Sequence, residues 1–220
     1  MSRRDERLAR DTEVDSVATL FLWVRGGAFG AFAFLFGVGL FHFLLRSRFA
    51  GEAGVAAAAI GRWRVSAWVY YNAHLVPTDG VALEAVSVVA GGGNTLLRLA
   101  AADPLLYGLC LLPPAMLVVG GYRTAKRRPK NTRWPRAGAA VALGYGFVAA
   151  VFLMLASIQP AGPVPGVPEG TLLRPNPLLA IGLAALAYPC VFGLFGAVLG
   201  RRAPWTRPSK QHQDRQRHRK

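Results

Sequence analysis

Charge is absent from three long stretches of this chain. Residues 104–122, 137–158 and 176–200 contain no Asp, Glu, Lys or Arg, and residues 26–45 contain His42 as the sole titratable side chain. These stretches have 19 to 25 residues, and a helix needs about 20 apolar residues to cross a bilayer core of roughly 30 Å. A charge at the centre of such a helix costs roughly 2.5–3.5 kcal/mol. The sequence therefore predicts an all-α membrane protein with four transmembrane helices, at about 26–45, 104–122, 137–158 and 176–200.

Cysteine is also scarce. The two cysteines, Cys110 and Cys190, fall inside predicted spans, where thiols behave as small apolar side chains rather than as a disulfide framework. The sequence has no CxxC pair and no Cys/His cluster, so no metal site is predicted. It also lacks a Ser/His/Asp set, paired carboxylates, a nucleotide-binding loop and a haem motif. We therefore expect neither an enzyme nor a cofactor.

The basic residues predict the orientation in the membrane. The net charge of +15 would indicate nucleic acid in a soluble protein, but here the basic residues flank apolar spans. With both termini and the 123–136 connection on one side, 20 of the 26 Lys and Arg residues lie together, which predicts cytoplasmic termini at a multi-pass cell membrane. Nucleic acid is not an expected partner.

Three regions follow from this tally. Residues 1–25 form a cytoplasmic segment whose mixed charges do not fit a cleavable signal peptide, and residues 26–200 form the membrane domain. Residues 201–220 are expected to be a disordered basic cytoplasmic tail held near anionic lipid headgroups. No room is left for a separate soluble domain.

A fifth span over Gly54–Val76 is the alternative that length disfavours. The uninterrupted piece Val65–Val76 has 12 residues, which make about 18 Å of helix and fall short of the bilayer core. Extending this piece backwards would place Arg62 and Arg64 in lipid, so four spans are predicted.

The connection 46–103 is predicted to be a small external cap. Two helical pieces, at 54–60 and 62–76, are expected at the membrane surface, with four aromatic rings at headgroup level: Trp63, Trp68, Tyr70 and Tyr71. A turn at 77–80 and a hairpin or extended strand over 81–99, with a glycine turn at 91–94, are expected to follow. The proline-rich connection 159–177 is expected to pack over this cap.

One segment carries a family resemblance. The run Trp68–Val76, with Tyr71-Asn72-Ala73-His74 at its centre, resembles an uncharacterised family of haloarchaeal multi-pass membrane proteins, as does Tyr188-Pro189-Cys190-Val191-Phe192-Gly193. The resemblance covers about residues 26–200. Members are sometimes labelled transporters without an assigned substrate, so the resemblance implies a fold more than a function.

Tyr71, Asn72 and His74 are the candidate cap motif. Imidazole is a common metal ligand, so an ion or polar ligand is one interpretation. One histidine and one amide are too few ligands for a site, and the favoured interpretation is that these side chains bond backbone groups and anchor the cap. His42 is the intramembrane titratable group, but it lies close to the interface, where a proton-relay role is not favoured.

Prolines and glycines shape the predicted spans. Pro113, Pro114 and Pro189 are candidate helix kinks, which fit either a transporter site at the midplane or ordinary helix shape. Small residues that allow close helix contact include Gly26, Gly30 and Gly144, together with the candidate packing set Gly193, Gly196 and Gly200.

These observations predict a non-catalytic structural or assembly component of the membrane. The partners expected are the lipid bilayer and a homo-oligomer or another membrane protein contacted through glycine faces. The alternative is a small-solute or ion transporter working as an oligomer. A polar cavity between spans two and four would favour transport, whereas a tightly packed apolar bundle would favour the structural role.

Overall fold

The computed structural model of the chain describes residues 3–46, 57–79, 93–128, 132–164 and 169–201. The described part is mostly helical. α-Helices run over Arg3–Leu45, Arg62–Asn72, Thr95–Ala102, Leu112–Lys126, Trp134–Ala156, Pro177–Leu179 and Tyr188–Arg201. A 3-10 helix covers Pro104–Leu111, a π-helix covers Ala180–Ala187, and two short strands cover Thr78–Asp79 and Arg174–Pro175.

The prediction of four spans is confirmed. Among the residues that the structure describes, four helical segments are long and apolar enough to cross a membrane. We call them span 1 to span 4 in chain order: Ser16–Leu45, Pro104–Lys126, Trp134–Ala156 and Pro177–Arg201. Span 1 begins ten residues earlier than predicted because its helix continues past Arg25. The guanidinium of Arg25 donates to the backbone oxygen of Arg123 at 3.1 Å, near the end of span 2.

The spans alternate in direction. Gly26 faces Ala140 and Gly30 faces Tyr145, so spans 1 and 3 are parallel. Gly196 faces Val118 and Gly200 faces Tyr122, so spans 2 and 4 are parallel to each other as well.

The bundle has an upper and a lower end. We call the end where span 1 stops at Leu45 and span 3 stops at Ala156 the upper end. The lower end is where span 2 stops at Lys126 and span 4 stops at Arg201.

Glycines bring the span backbones into direct contact. A Cβ added at Gly144 would overlap the backbone of Gly27, and one at Gly121 would overlap the carbonyl of Gly193. The three candidate packing glycines all lie at contacts between spans of this one chain: Gly193 against Gly138, Gly196 against Val118, and Gly200 against Tyr122. These faces are therefore occupied within the chain, and an oligomer would need another surface.

The prolines lie where the helix type changes within spans 2 and 4. Pro113 and Pro114 lie in the first turn of the α-helix that follows the 3-10 segment of span 2. Pro189 is the second residue of the α-helix that follows the π-helix of span 4. The turns before these prolines do not follow the α-helical hydrogen-bond pattern: Leu112 N donates to Leu109 O, and Tyr188 N donates to Leu183 O. A residue without an N–H therefore lies where the α-helical pattern is already interrupted.

The two upper connections pair with each other. Thr78 pairs with Pro175 and Asp79 with Arg174 in antiparallel register, and Asn176 N donates to Pro77 O at 2.8 Å. The proline-rich connection thus contacts residues 77–79.

The strand predicted over Thr95–Leu99 is wrong, because residues Thr95–Ala102 form a helix. The side chain of Asn94 accepts a hydrogen bond from Leu97 N at 3.0 Å, which is an N-cap rather than part of a hairpin turn. The predicted strand at 81–90 and the tail at 202–220 lie outside the described residues.

Candidate functional site

The helix Arg62–Asn72, which we call the connecting helix, is packed inside the bundle. Trp68, Tyr70 and Tyr71 are at most 1% exposed, and the whole stretch Val65–Asn72 is buried. Trp63, with 39% of its surface exposed, remains at the edge. Three of the four aromatic rings expected among lipid headgroups are thus covered by protein.

Hydrogen bonds to span 3 fix how far this helix reaches. Trp68 Nε1 donates to Ala156 O at 2.9 Å, and the Tyr71 hydroxyl donates to Ala149 O. His74, just beyond the helix, reaches Tyr145, which is the middle residue of span 3. The distance along span 3 from Ala156 to Tyr145 is roughly 16 Å at about 1.5 Å per residue. The connecting helix therefore extends from the upper end to about the middle of the bundle.

The contacts of Arg64 explain why the first turn of the connecting helix stays at the upper end. Arg64 lies over the Trp63 ring at 4.7 Å and donates to the carbonyls of Leu155 (3.3 Å) and Ile60 (3.2 Å). These contacts keep the charged first turn at the upper end. The charge-free remainder of the helix is then free to pack between the spans.

A buried hydrogen-bond chain joins the connecting helix to span 3. The Tyr70 and Tyr145 hydroxyls are 2.7 Å apart, and His74 Nε2 is 2.6 Å from the Tyr145 hydroxyl. His74 Nδ1 lies 2.9 Å from Tyr70 O. A carbonyl oxygen only accepts, so Nδ1 carries the proton, and in neutral imidazole Nε2 must then accept from Tyr145. Tyr145 in turn accepts from Tyr70, and the chain runs in one direction from Tyr70 to His74.

The surroundings keep His74 neutral. His74 lies in the connection between spans 1 and 2, and burial lowers its pKa to about 4, although the hydrogen bond to the backbone of Tyr70 acts in the opposite direction. Aromatic rings enclose the chain: the Phe34 ring lies 5.2 Å from those of Tyr70 and Tyr145, and the Tyr188 ring lies 5.1 Å from His74. At neutral pH the imidazole is therefore uncharged.

The end of the connecting helix is closed without glycine. Val76 N donates to Tyr71 O (3.2 Å) and Leu75 N donates to Asn72 O (2.9 Å), the two bonds of a Schellman cap. Leu75 holds the left-handed position with φ 62°, where an L side chain costs roughly 1–2 kcal/mol. The cap leaves the terminal carbonyls paired although they lie deep in the bundle.

Asn72 ties this cap to the next helix. Its amide nitrogen donates to Val76 O at 2.7 Å, and its amide oxygen accepts from Thr95 N at 2.9 Å. Its backbone oxygen also accepts from Asn94 at 2.7 Å. One fully buried side chain therefore holds the segments 72–76 and 94–95 together.

The hydrogen bonds of this site leave few side-chain donors or acceptors for a ligand. Both ring nitrogens of His74 are hydrogen-bonded, so the neutral imidazole has no lone pair left for a metal. Within the described ranges no group of three His, Cys, Asp or Glu could hold a metal ion. His42 Nδ1 lies 3.0 Å from Ser66 Oγ, whose proton is donated to Arg62 O, so His42 links span 1 to the connecting helix.

The sequence interpretation missed Tyr145 and Phe34. Tyr145 is the one tyrosine in the charge-free stretch 137–158, and a hydroxyl in such a stretch needs a protein partner. That signal indicates a polar contact at the middle of span 3, but it does not identify His74 as the partner. The structure brings Tyr71, Asn72 and His74 together, and it places Pro113, Pro114 and Pro189 outside this hydrogen-bond chain.

The chain matches a family whose function is unknown. A model described as a family of unknown function (DUF7978) covers residues 2–203. No curated protein and no solved structure matches the chain.

Proposed function

The chain belongs to DUF7978, a family of unknown function, and we propose that it is a non-catalytic structural or assembly component of the membrane. The observation that carries the proposal is the contact between spans 2 and 4. Gly121 and Gly193 bring the two backbones together, as do Val118 and Gly196. A polar pathway between these spans would need the space that the backbones fill.

The buried polar chain supports the same function. His74, Tyr70 and Tyr145 satisfy one another and a backbone carbonyl, as a network that fixes the position of the connecting helix would. A ligand site would instead leave a donor or acceptor directed into open space. We propose that this network makes the upper half of the bundle a rigid surface for assembly.

Two measurements test the assembly role. We expect native mass spectrometry from mild detergent to give a defined complex of this chain with itself or another membrane protein. We also expect that no metal ion or common solute stabilises the wild type through His74, because both ring nitrogens are used. A ligand at 100 times its Kd would add roughly 2.7 kcal/mol to the free energy of unfolding. A solute that stabilises the wild type but not His74→Ala, with a monomer in the spectrometer, would contradict the proposal.

Transport is the second candidate, and the interrupted helices favour it. The upper half of span 2 is a 3-10 helix and that of span 4 is a π-helix, next to a connecting helix that reaches the middle of the bundle. Broken helices of this kind build substrate sites in many transporters. Solute uptake into liposomes that contain the purified chain would favour this function over assembly.

The orientation and the external cap are part of the proposal. Arg25, Arg123, Arg133 and Arg201 all lie at the lower end, which supports a cytoplasmic lower end and an external upper end. A haloarchaeal cell membrane, as the resemblance implies, remains a prediction.

Cysteine labelling tests this orientation. In a background with Cys110→Ala and Cys190→Ala, an impermeant maleimide should label Gly80→Cys but not Lys130→Cys in sealed cells. Permeabilised cells serve as the control and should label both. Labelling of Lys130→Cys but not of Gly80→Cys in sealed cells would place the lower end outside and contradict the proposed topology.

A further inference from the structure

The lower end of the bundle brings like charges together. The Arg25 guanidinium of span 1 reaches the last turn of span 2 and donates to Arg123 O at 3.1 Å. The charge of Arg127, just beyond span 2, acts on Arg25 from nearby. Both Arg123 and Arg127 are exposed and Arg25 is half-buried. This cluster has a specific position because the hydrogen bond holds Arg25 against span 2.

Carboxylates are remote from this cluster among the residues whose side chains the structure describes. Those acids, Asp79, Asp103 and Glu169, lie in the upper connections. The nearest acid along the helix of span 1 is Asp15, ten residues before Arg25, which is roughly 15 Å along the helix axis. Among the described side chains no carboxylate offsets the repulsion between Arg25 and Arg127, so a bound anion would relieve it.

Apolar side chains surround the same position. Phe21 (70% exposed) lies one turn before Arg25 on span 1. On the side toward the upper end, Arg25 lies 6.0 Å from the ring of Phe29, and Phe32 (59% exposed) follows seven residues after Arg25 on the same face of the helix. A free anion makes no favourable contact with exposed apolar side chains, whereas a phospholipid presents a phosphate and acyl chains together.

We propose that Arg25 and Arg127 bind the phosphate of an anionic phospholipid at the lower end of spans 1 and 2, with an acyl chain running toward the upper end against Phe29 and Phe32. A guanidinium retains several N–H donors in a planar fork after one hydrogen bond, and this fork matches phosphate oxygens. The site is distinct from the basic tail, since its residues belong to the ends of two packed spans.

Native mass spectrometry tests the site in mixed micelles of a neutral detergent and phosphatidylcholine, to which phosphatidylglycerol is added. The wild type should retain one phosphatidylglycerol in a saturable manner. Arg25→Gln and Arg127→Gln should each weaken this binding by about tenfold, the effect of one lost charge-assisted contact. Arg136→Gln is the matched control because it removes an exposed arginine at the same end, and it should keep the wild-type affinity.

Thermal stability separates lipid binding from a structural role. In phosphatidylcholine alone, Arg25→Gln should be as stable as the wild type, because the repulsion with Arg127 is removed along with the bond to Arg123. Phosphatidylglycerol should then raise the unfolding temperature of the wild type more than that of the variant. Arg25→Lys, which keeps the charge without the fork, should show an intermediate response and serves if Arg25→Gln does not fold.

Three outcomes would overturn the proposal. Equal weakening by all three glutamine variants would mean diffuse attraction to the charged end. An equal loss of stability of Arg25→Gln in both lipids would mean that Arg25 acts only by bonding to span 2. Binding of inorganic phosphate alone, with the same sensitivity to Arg25→Gln and Arg127→Gln, would identify a phosphate site in place of a lipid site.

Discussion

Gly144→Ala is expected to lower the unfolding temperature of the bundle, and Gly39→Ala is expected to raise it. A Cβ at Gly144 would overlap the backbone of Gly27, whereas nothing lies within 4 Å of the position where a Cβ would stand at Gly39. A backbone cannot rotate out of the way as a side chain can, so we expect about 3 kcal/mol of destabilisation or more for Gly144→Ala. Alanine in an open helical position stabilises by roughly 0.5–1 kcal/mol relative to glycine.

Thermal unfolding in one detergent measures both variants. For a chain of this size, 1 kcal/mol corresponds to about 2–4 °C in the unfolding temperature. The two substitutions add the same methyl group to spans of one bundle, so detergent effects common to both cancel. Equal shifts in the same direction would show that spans 1 and 3 are not in backbone contact.

Asn72→Ala is expected to be the most damaging substitution in the segment between spans 1 and 2. It removes the partners of Val76 O and Thr95 N. An unpaired buried backbone group costs about 1–3 kcal/mol, so the expected total is about 2–6 kcal/mol.

Asn176→Ala is the matched control. The Asn176 side chain is half-buried, caps Leu179 N at 3.1 Å and donates to the Asp79 carboxylate at 3.2 Å. Since these groups remain accessible to water, we expect a loss of about 1–2 kcal/mol. Urea or heat unfolding of both variants gives the comparison. If Asn176→Ala were the more destabilising of the two, the role assigned to Asn72 in holding the two segments together would be contradicted.

The spans were predictable because charge is excluded from lipid wherever it occurs in the chain. The bounds of the spans were less predictable than their number. Arg25 ended the predicted first span, but the helix of span 1 continues through Arg25 because a backbone carbonyl of span 2 accepts a hydrogen bond from its guanidinium. A prediction from the charge of neighbouring residues takes no account of a hydrogen-bond partner that is 98 residues away in the sequence.

The connecting helix shows the same limitation. Its arginines indicated a surface position, and the charge-free 12 residues after them were too short to span the bilayer. A helix that packs only half-way down fits both facts, but its partners Tyr145, Ala149 and Ala156 come from span 3. Its end carried no glycine signal either, because Leu75 adopts the left-handed conformation.

The motif Tyr71–His74 was singled out from its sequence, and in the structure Asn72 bonds backbone groups. That the motif anchors an external cap stays a prediction. The role of Tyr70 was not foreseen. A tyrosine beside an apolar run is typical of a membrane interface, and only the position of Tyr145 makes it part of a buried chain.

The connecting helix is synthesised several seconds before the span that it packs against. Its hydrogen-bond partners on span 3 follow it by 71 to 91 residues, which a ribosome adds in roughly 4–18 s at about 5–20 residues per second. During that time Trp68, Tyr70 and His74 have no span 3 to pack against, so they must stay in water or at the interface. Docking of this helix is thus a late, post-insertion step, and a chain truncated after span 2 would expose it to proteases and chaperones.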